Sequence, residues 1–209
     1  MTGVQTCALP IYWNNRWAIE DLAGLSKNKK YEDTCKKQYE IFLRNGIEMD
    51  VISQKADFSE YKLLVIPMLY LIKPGFTNRI KNYVEKGGTV IATYLTGYVN
   101  ENTLCYQGGF PGDGLKELFG LYIEEIDSLY PSDSNEVSIN MNSEPSSFTF
   151  SVSDFCDIIK PQKASVIGIY TKDFYAGTPA VTENAYGDGL AYYVGARIDE
   201  KSMEYLRSE

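Results

Sequence analysis

The stretch Tyr61–Gly97, YKLLVIPMLYLIKPGFTNRIKNYVEKGGTVIATYLTG, restricts the fold more than any other part of the chain. Lys62–Pro67 is a short apolar run without polar alternation, the pattern of a strand buried on both faces. Pro74 stands where a first helical turn loses nothing by its missing N–H. Phe76, Ile80, Tyr83 and Val84 follow at helical spacing and define one apolar face. Gly87-Gly88, after Lys81 and Lys86, predicts a left-handed cap, and Thr89–Tyr94 is a second apolar, β-rich run. Two buried strands joined by a helix make a right-handed βαβ unit and so part of a parallel sheet.

The flanking segments extend this unit. Tyr12–Leu22, with Trp13 and Trp17 among polar residues, reads as the end of a strand and the loop after it. Tyr31–Asn45 carries Cys35, Tyr39, Phe42 and Leu43 on one helical face and stops at Gly46. Ile47–Ile52 alternates as a strand. After Thr96-Gly97 comes a long loop, Tyr98–Gly114, and then a short helix, Leu115–Phe119, ended by Gly120. From Leu121 the pattern changes to period two, with strands expected at Val137–Met141, Phe148–Val152, Ala164–Tyr170, Pro179–Asn184 and Leu190–Ala196. Asp154–Lys160 reads as a short connection of about one helical turn. Asn142–Ser147 reads as a polar turn, Asp188-Gly189 as a hairpin signal, and Glu200–Arg207 as the start of a helix. The layout predicts a three-layer α/β domain, flavodoxin-like or class I glutamine-amidotransferase-like, with a mostly parallel sheet and a β-rich C-terminal half.

Composition narrows the function classes. The chain of 209 residues has a formal net charge of −8, which disfavours nucleic acid and anionic membrane as partners. No apolar run approaches a membrane span. Histidine is absent, which removes Ser-His-Asp and Cys-His machinery and the usual imidazole metal ligands. Cys7, Cys35, Cys105 and Cys156 show no Cys-x-x-Cys spacing and read as free thiols in a reducing, cytoplasmic setting.

No constellation of reactive residues emerges. The glycines of Gly108–Gly114 lack the spacing of a phosphate loop. The turn Tyr94-Leu95-Thr96-Gly97 follows a buried strand, where amidotransferase-like folds place a nucleophilic cysteine, but it carries Leu95 and Thr96. Asn100-Glu101 resembles the Asn-Glu pair of sugar-cleaving barrels, and Glu124, Glu125 and Asp127 could be offered as paired carboxylates. Glycosidase carboxylates need rigid, opposed placement about 5–9 Å apart, and a surface reading of these acids is simpler. The sequence therefore leads to no catalytic, cofactor-binding or metal-ligating residues. Tyr98, Tyr106 and Phe110 in the long loop are candidates for a subunit interface.

Several segments together resemble one family. YWNNRWAIED, LRNGIEMDVISQKADFSEYKLLVIPMLYLI, VEKGGTVIATYLTGYVNEN, GGFPGDGLKELFGLYIEEIDSL and DFYAGTPAVTENAYGDGLAYYVGARID are similar to the middle domain of glycoside hydrolase family 42 β-galactosidases, in order and spacing. The resemblance implies an amidotransferase-like trimerisation domain that has lost its catalytic residues, set between a catalytic (β/α)8 barrel and a small β domain. It implies a homotrimer as the parent assembly and terminal β-D-galactosides as substrates of the barrel. The barrel's two glutamates, about 5–5.5 Å apart in a retaining enzyme, have no counterpart here. Trp13 and Trp17 are then candidates for a barrel-facing or sugar-proximal position. Alternatives are a stand-alone sugar-binding module or an amidotransferase-like enzyme. Met1–Ile11, MTGVQTCALPI, resembles a translated sequencing-library adapter, so residues 1–11 are expected to be foreign and the native chain to continue upstream of Tyr12. The expected divisions are the adapter at 1–11, the trimerisation domain at 12–200, and the start of a linker to a further β domain at 201–209. Pro10 is a poor fit to a central strand.

Overall fold

The computed structural model describes residues 7–20, 28–139 and 148–199. The expected turn at 142–147 and the expected helix at 200–207 lie outside these residues. The N-terminal half runs β1 (Cys7–Ile11), α1 (Trp13–Glu20), α2 (Tyr31–Arg44), β2 (Met49–Ser53), β3 (Leu63–Ile66), α3 (Phe76–Glu85) and β4 (Thr89–Thr93). Then come α4 (Leu115–Phe119), β5 (Leu121–Ser128), β6 (Asn135–Ile139), β7 (Phe148–Pro161), β8 (Ser165–Tyr170), β9 (Pro179–Tyr186), β10 (Gly189–Val194) and β11 (Ala196–Ile198).

The βαβ unit forms as the pattern requires. β3 and β4 pair in parallel, Leu63 beside Thr89 through Ile66 beside Ala92. Phe76, Ile80, Tyr83 and Val84 of α3 are all buried. Phe58 meets the rings of Phe76 and Tyr83 edge-on, at 6.0 and 5.7 Å. The helix begins two residues after Pro74, behind a left-handed Gly75. Its end is marked by Gly87 alone at positive φ. Gly88 is required for space instead, because a Cβ there would lie 2.3 Å from the Tyr83 ring.

The sheet is mixed rather than mostly parallel. β1 pairs in parallel with β2 and β3, β3 with β4, and β4 with β10. The pairings β5–β7, β6–β7, β6–β8, β8–β9, β9–β10 and β7–β11 are antiparallel. Helices cover both faces of the parallel part. Ala8, Leu64, Ile66, Val90 and Ala92 pack against α3 and α4, and the alternate residues Cys7, Leu9 and Val65 share a core with Ile19 of α1 and Tyr31 and Cys35 of α2. This two-sided burial is why these strands read as unbroken apolar runs.

Three local expectations are corrected. The segment after Tyr12 is helical, not a strand end with a loop. Its polar sequence hides the helix, which is held by tertiary bonds: Asn15 Nδ2 donates to Met68 O at 2.8 Å and Asn15 Oδ1 accepts from Leu71 N at 2.7 Å. Asp154–Lys160 is not a connection. It continues β7 to fourteen residues, bent where Asp154 sits at φ 60°. The polar Asp154 and Asp157 interrupt the apolar pattern, yet Phe155, Cys156, Ile158 and Ile159 around them are buried. Pro10 does occupy a strand between two neighbours. Ile11 O accepts from Gln54 N on the β2 side, so by alternation Pro10 faces β3, where pairing has ended after Ala8.

The C-terminal half closes on itself. β11 follows β10 after the single residue Gly195 and pairs with β7, so the path β7-β6-β8-β9-β10 returns to β7. Leu129, Val137, Phe150, Val152, Tyr170, Val181 and Ala196 fill the enclosed core. The β9–β10 hairpin turns on Gly187-Asp188, with Gly187 at φ 61° as its first central residue.

Candidate functional site

The turn after β4, Tyr94–Gly97, is built as a closed joint. Leu95 adopts φ 58° and is fully buried. A branched residue in this left-handed region is strained and persists only when its surroundings impose it. The bonds that impose it are visible. Thr93 Oγ1 accepts from Met68 N at 2.9 Å, while Thr96 Oγ1 accepts from Leu69 N at 3.3 Å and donates to Thr93 O at 2.6 Å. Gly97 follows at φ 76°, and a Cβ there would lie 2.8 Å from Leu115 Cδ1. Aliphatic packing leaves no opening above Leu95 for a substrate.

Behind this turn lies a buried titratable group. Asp157 of β7 is fully buried. Its Oδ2 accepts from Tyr193 OH at 2.7 Å, while its Oδ1 has no hydrogen-bond partner among the described residues. Burial outweighs the lowering effect of Tyr193 and of the nearby Leu95 backbone and pushes its pKa up to about 7. Burial likewise raises Tyr98, Tyr170 and Tyr193, with the Asp157 charge adding to each. Tyr170 OH shares its proton between Asp157 O at 3.2 Å and Gly195 O at 3.0 Å. Asp157 thus joins β7, β8, β10 and the β4 turn. It is sealed from solvent.

Open α/β sheets bind ligands beyond the strand C-termini, at the crevice where strand order reverses. The parallel strands run β2-β1-β3-β4-β10, so that crevice lies between β1 and β3. Asn15 fills it, bridging the loop after β3 through its two bonds to Met68 and Leu71. Among the described residues no cluster of three cysteine or acidic side chains could hold a metal.

The long loop folds onto its own core. Tyr98 is 6% exposed and stacks between Tyr70 and Phe110, with centroids at 5.6 and 4.0 Å. Phe110 bridges to Ile123 and packs against two cores. Tyr106 lies against Gly112, where a Cβ would come within 2.2 Å of its ring. These three rings pack within the chain. Trp17, in contrast, is 60% exposed. Trp13 opens α1, and its side chain lies outside the described set. Glu101 is exposed at the loop tip. Glu124 sits at a bulge in β5 and pairs with Lys160 at 2.9 Å, and Asp127 accepts from Tyr175 OH at 2.8 Å, so the candidate carboxylates are spread among structural partners.

Arg197 is a residue that sequence reasoning missed. Its guanidinium donates to Tyr94 OH at 2.7 Å, Asp154 Oδ2 at 3.0 Å, Lys29 O at 2.5 Å and Asn28 O, and lies 4.9 Å from the Phe155 ring centroid. It fastens β11 to β7, to the β4 turn and to the segment before α2. The partners come from positions more than a hundred residues away, apart from the nearer Asp154 and Phe155, and no local pattern announces them.

The family described as the Beta-galactosidase trimerisation domain matches residues 6–209. Beta-galactosidase Pbg of Clostridium perfringens is 43% identical over 205 residues, which cover 97% of this chain and 30% of that protein. The crystal structure of a beta-galactosidase from Bacillus circulans sp. alkalophilus superposes with a TM-score of 0.90 at 36% identity, covering 97% of this chain and 29% of that one. Gan42B, a GH42 beta-galactosidase from G. stearothermophilus, gives 0.86 at 40% identity, covering 96% and 28%. The chain therefore spans about 30% of the length of the relatives it matches. The match from residue 6 to residue 209 and the identity to these relatives agree: the chain belongs to the trimerisation-domain family of the glycoside hydrolase family 42 beta-galactosidases.

Proposed function

We propose that this chain is the non-catalytic assembly domain of a β-galactosidase, holding three copies together so that their catalytic barrels are positioned to hydrolyse terminal β-D-galactosyl bonds in the cytoplasm. The observation that carries this reading is the sealed turn at Leu95, set within a chain matched over nearly its whole length by a trimerisation-domain family. The strand order β2-β1-β3-β4-β10 with helices on both faces supports descent from a flavodoxin-like or amidotransferase-like arrangement in which that turn once carried chemistry. Among the described residues Cys7, Cys35, Cys105 and Cys156 form no disulfide, which suits a reducing compartment.

The test is direct. Purified chain is incubated with a chromogenic β-galactoside, and its mass in solution is measured. No turnover and a trimeric mass are expected. Turnover by pure chain would refute the non-catalytic reading, and a monomeric mass at every concentration would refute assembly by this domain alone.

A further inference from the structure

A ring of three identical chains has no two-fold axis between neighbours, so each contact joins two different surfaces of the chain. Resting on the assembly reading above, we propose that the chain associates head to tail: the surface carrying Trp17 and Leu104 on one copy meets the surface carrying Tyr130 and Phe174 on the next.

The exposed large apolar side chains among the described residues are Trp17, Leu43, Ile47, Val51, Leu104, Tyr122, Tyr130, Val166 and Phe174, of which Tyr122 and Val166 are among the less exposed. Trp17 and Leu104 are 60% and 63% exposed. Trp17 shares a shallow concavity with Val99, Glu101 and Thr103 of the loop whose tip carries Leu104. Both sides are held rigid. Asn15 pins α1, and Asn100 Oδ1 accepts from Asn102 N and Leu104 N at 2.9 and 3.1 Å, closing the tip. Apolar groups presented this way lose little freedom on binding.

Tyr130 and Phe174 are the most exposed large apolar residues among those described, at 76% and 81%. They stand on the β5–β6 and β8–β9 loops, at one end of the closed β half. The loops are tied together because Asn135 donates to Lys172 O and accepts from Lys172 N, each at 3.1 Å. Phe174 meets the Tyr175 ring edge-on at 4.9 Å, and Tyr175 is itself anchored on Asp127.

The two surfaces sit on different halves of the molecule, over different cores, as a heterologous contact requires. Three aromatic rings can bury about 600 Å², over a third of the roughly 1,600 Å² of a standard interface, and aromatics dominate binding energy at such contacts. The competing group, Leu43, Ile47 and Val51, is aliphatic and interspersed with Glu40, Arg44, Glu48 and Asp50, the charge pattern that keeps an edge from associating.

Native mass spectrometry and sedimentation of the full chain test this with three double variants: Trp17→Asp with Leu104→Asp, Tyr130→Asp with Phe174→Asp, and Leu43→Glu with Val51→Glu. All six positions are exposed, and circular dichroism checks that each variant folds. Wild type and the third variant should be trimers. Each of the first two should be monomeric alone. Mixed, they should form a one-to-one heterodimer, because each retains the surface the other lacks. A wild-type trimer that either of the first two variants preserves overturns the proposal while leaving assembly standing. So does a mixture that stays monomeric, or a trimer lost only in the third variant. A wild type that never associates overturns both.

Discussion

Replacing Asp157 by asparagine should remove a pH dependence from the stability of this protein. The carboxyl is fully buried, and its pKa rises from 3.8 to about 7 on folding. The folded state therefore holds a proton that the unfolded state releases. Nothing is lost below the unfolded pKa. Stability then falls as pH rises through the window from about 4 to 7, by up to about 1.4 kcal/mol per pH unit, and levels off above it. The full loss is about 4 kcal/mol, and the part falling between pH 5 and pH 8 is about 2.5 kcal/mol. The amide of the Asp157→Asn variant would keep an oxygen to accept from Tyr193, and it carries no ionisable proton. Urea unfolding of wild type and Asp157→Asn near pH 5 and near pH 8 measures the difference. The variant should gain about 2.5 kcal/mol on wild type between the two pH values. Parallel stability curves would refute the reasoning, since they would mean that the buried carboxyl does not titrate near neutrality.

Two further outcomes follow from the packing. Asn15→Ala should cost roughly 3 kcal/mol, because it leaves Met68 O and Leu71 N buried without their partner; a loss under about 1 kcal/mol in urea unfolding would show that α1 is not held by those bonds. Titrating the intrinsic tryptophan fluorescence with galactose or lactose should give a flat response, since Trp17 is assigned to a subunit contact; a saturable change would instead favour a sugar-binding module.

Much of the fold was legible because it rests on short-range pattern. The spacing of Phe76, Ile80, Tyr83 and Val84 defines a helix face whatever lies opposite it, and all four are buried. The Leu115–Phe119 helix and its Gly120 end coincide with the observed element. The site's surroundings were less legible. Aromatic residues in a long loop read equally well as exposed or buried, and stacking decided for Tyr98.

The sequence by itself determined the βαβ unit and the β-rich second half, since each is written in residues close together in the chain. The tertiary structure alone decided that Asn15 turns a polar stretch into a helix and plugs the crevice between β1 and β3. It also decided that β7 runs through two aspartates, that β11 closes the β half, and that Arg197 fastens segments more than a hundred residues apart. The physical reason is common to all of these. A buried polar side chain is tolerated only where distant backbone groups come to meet it, and no local period records where they will be.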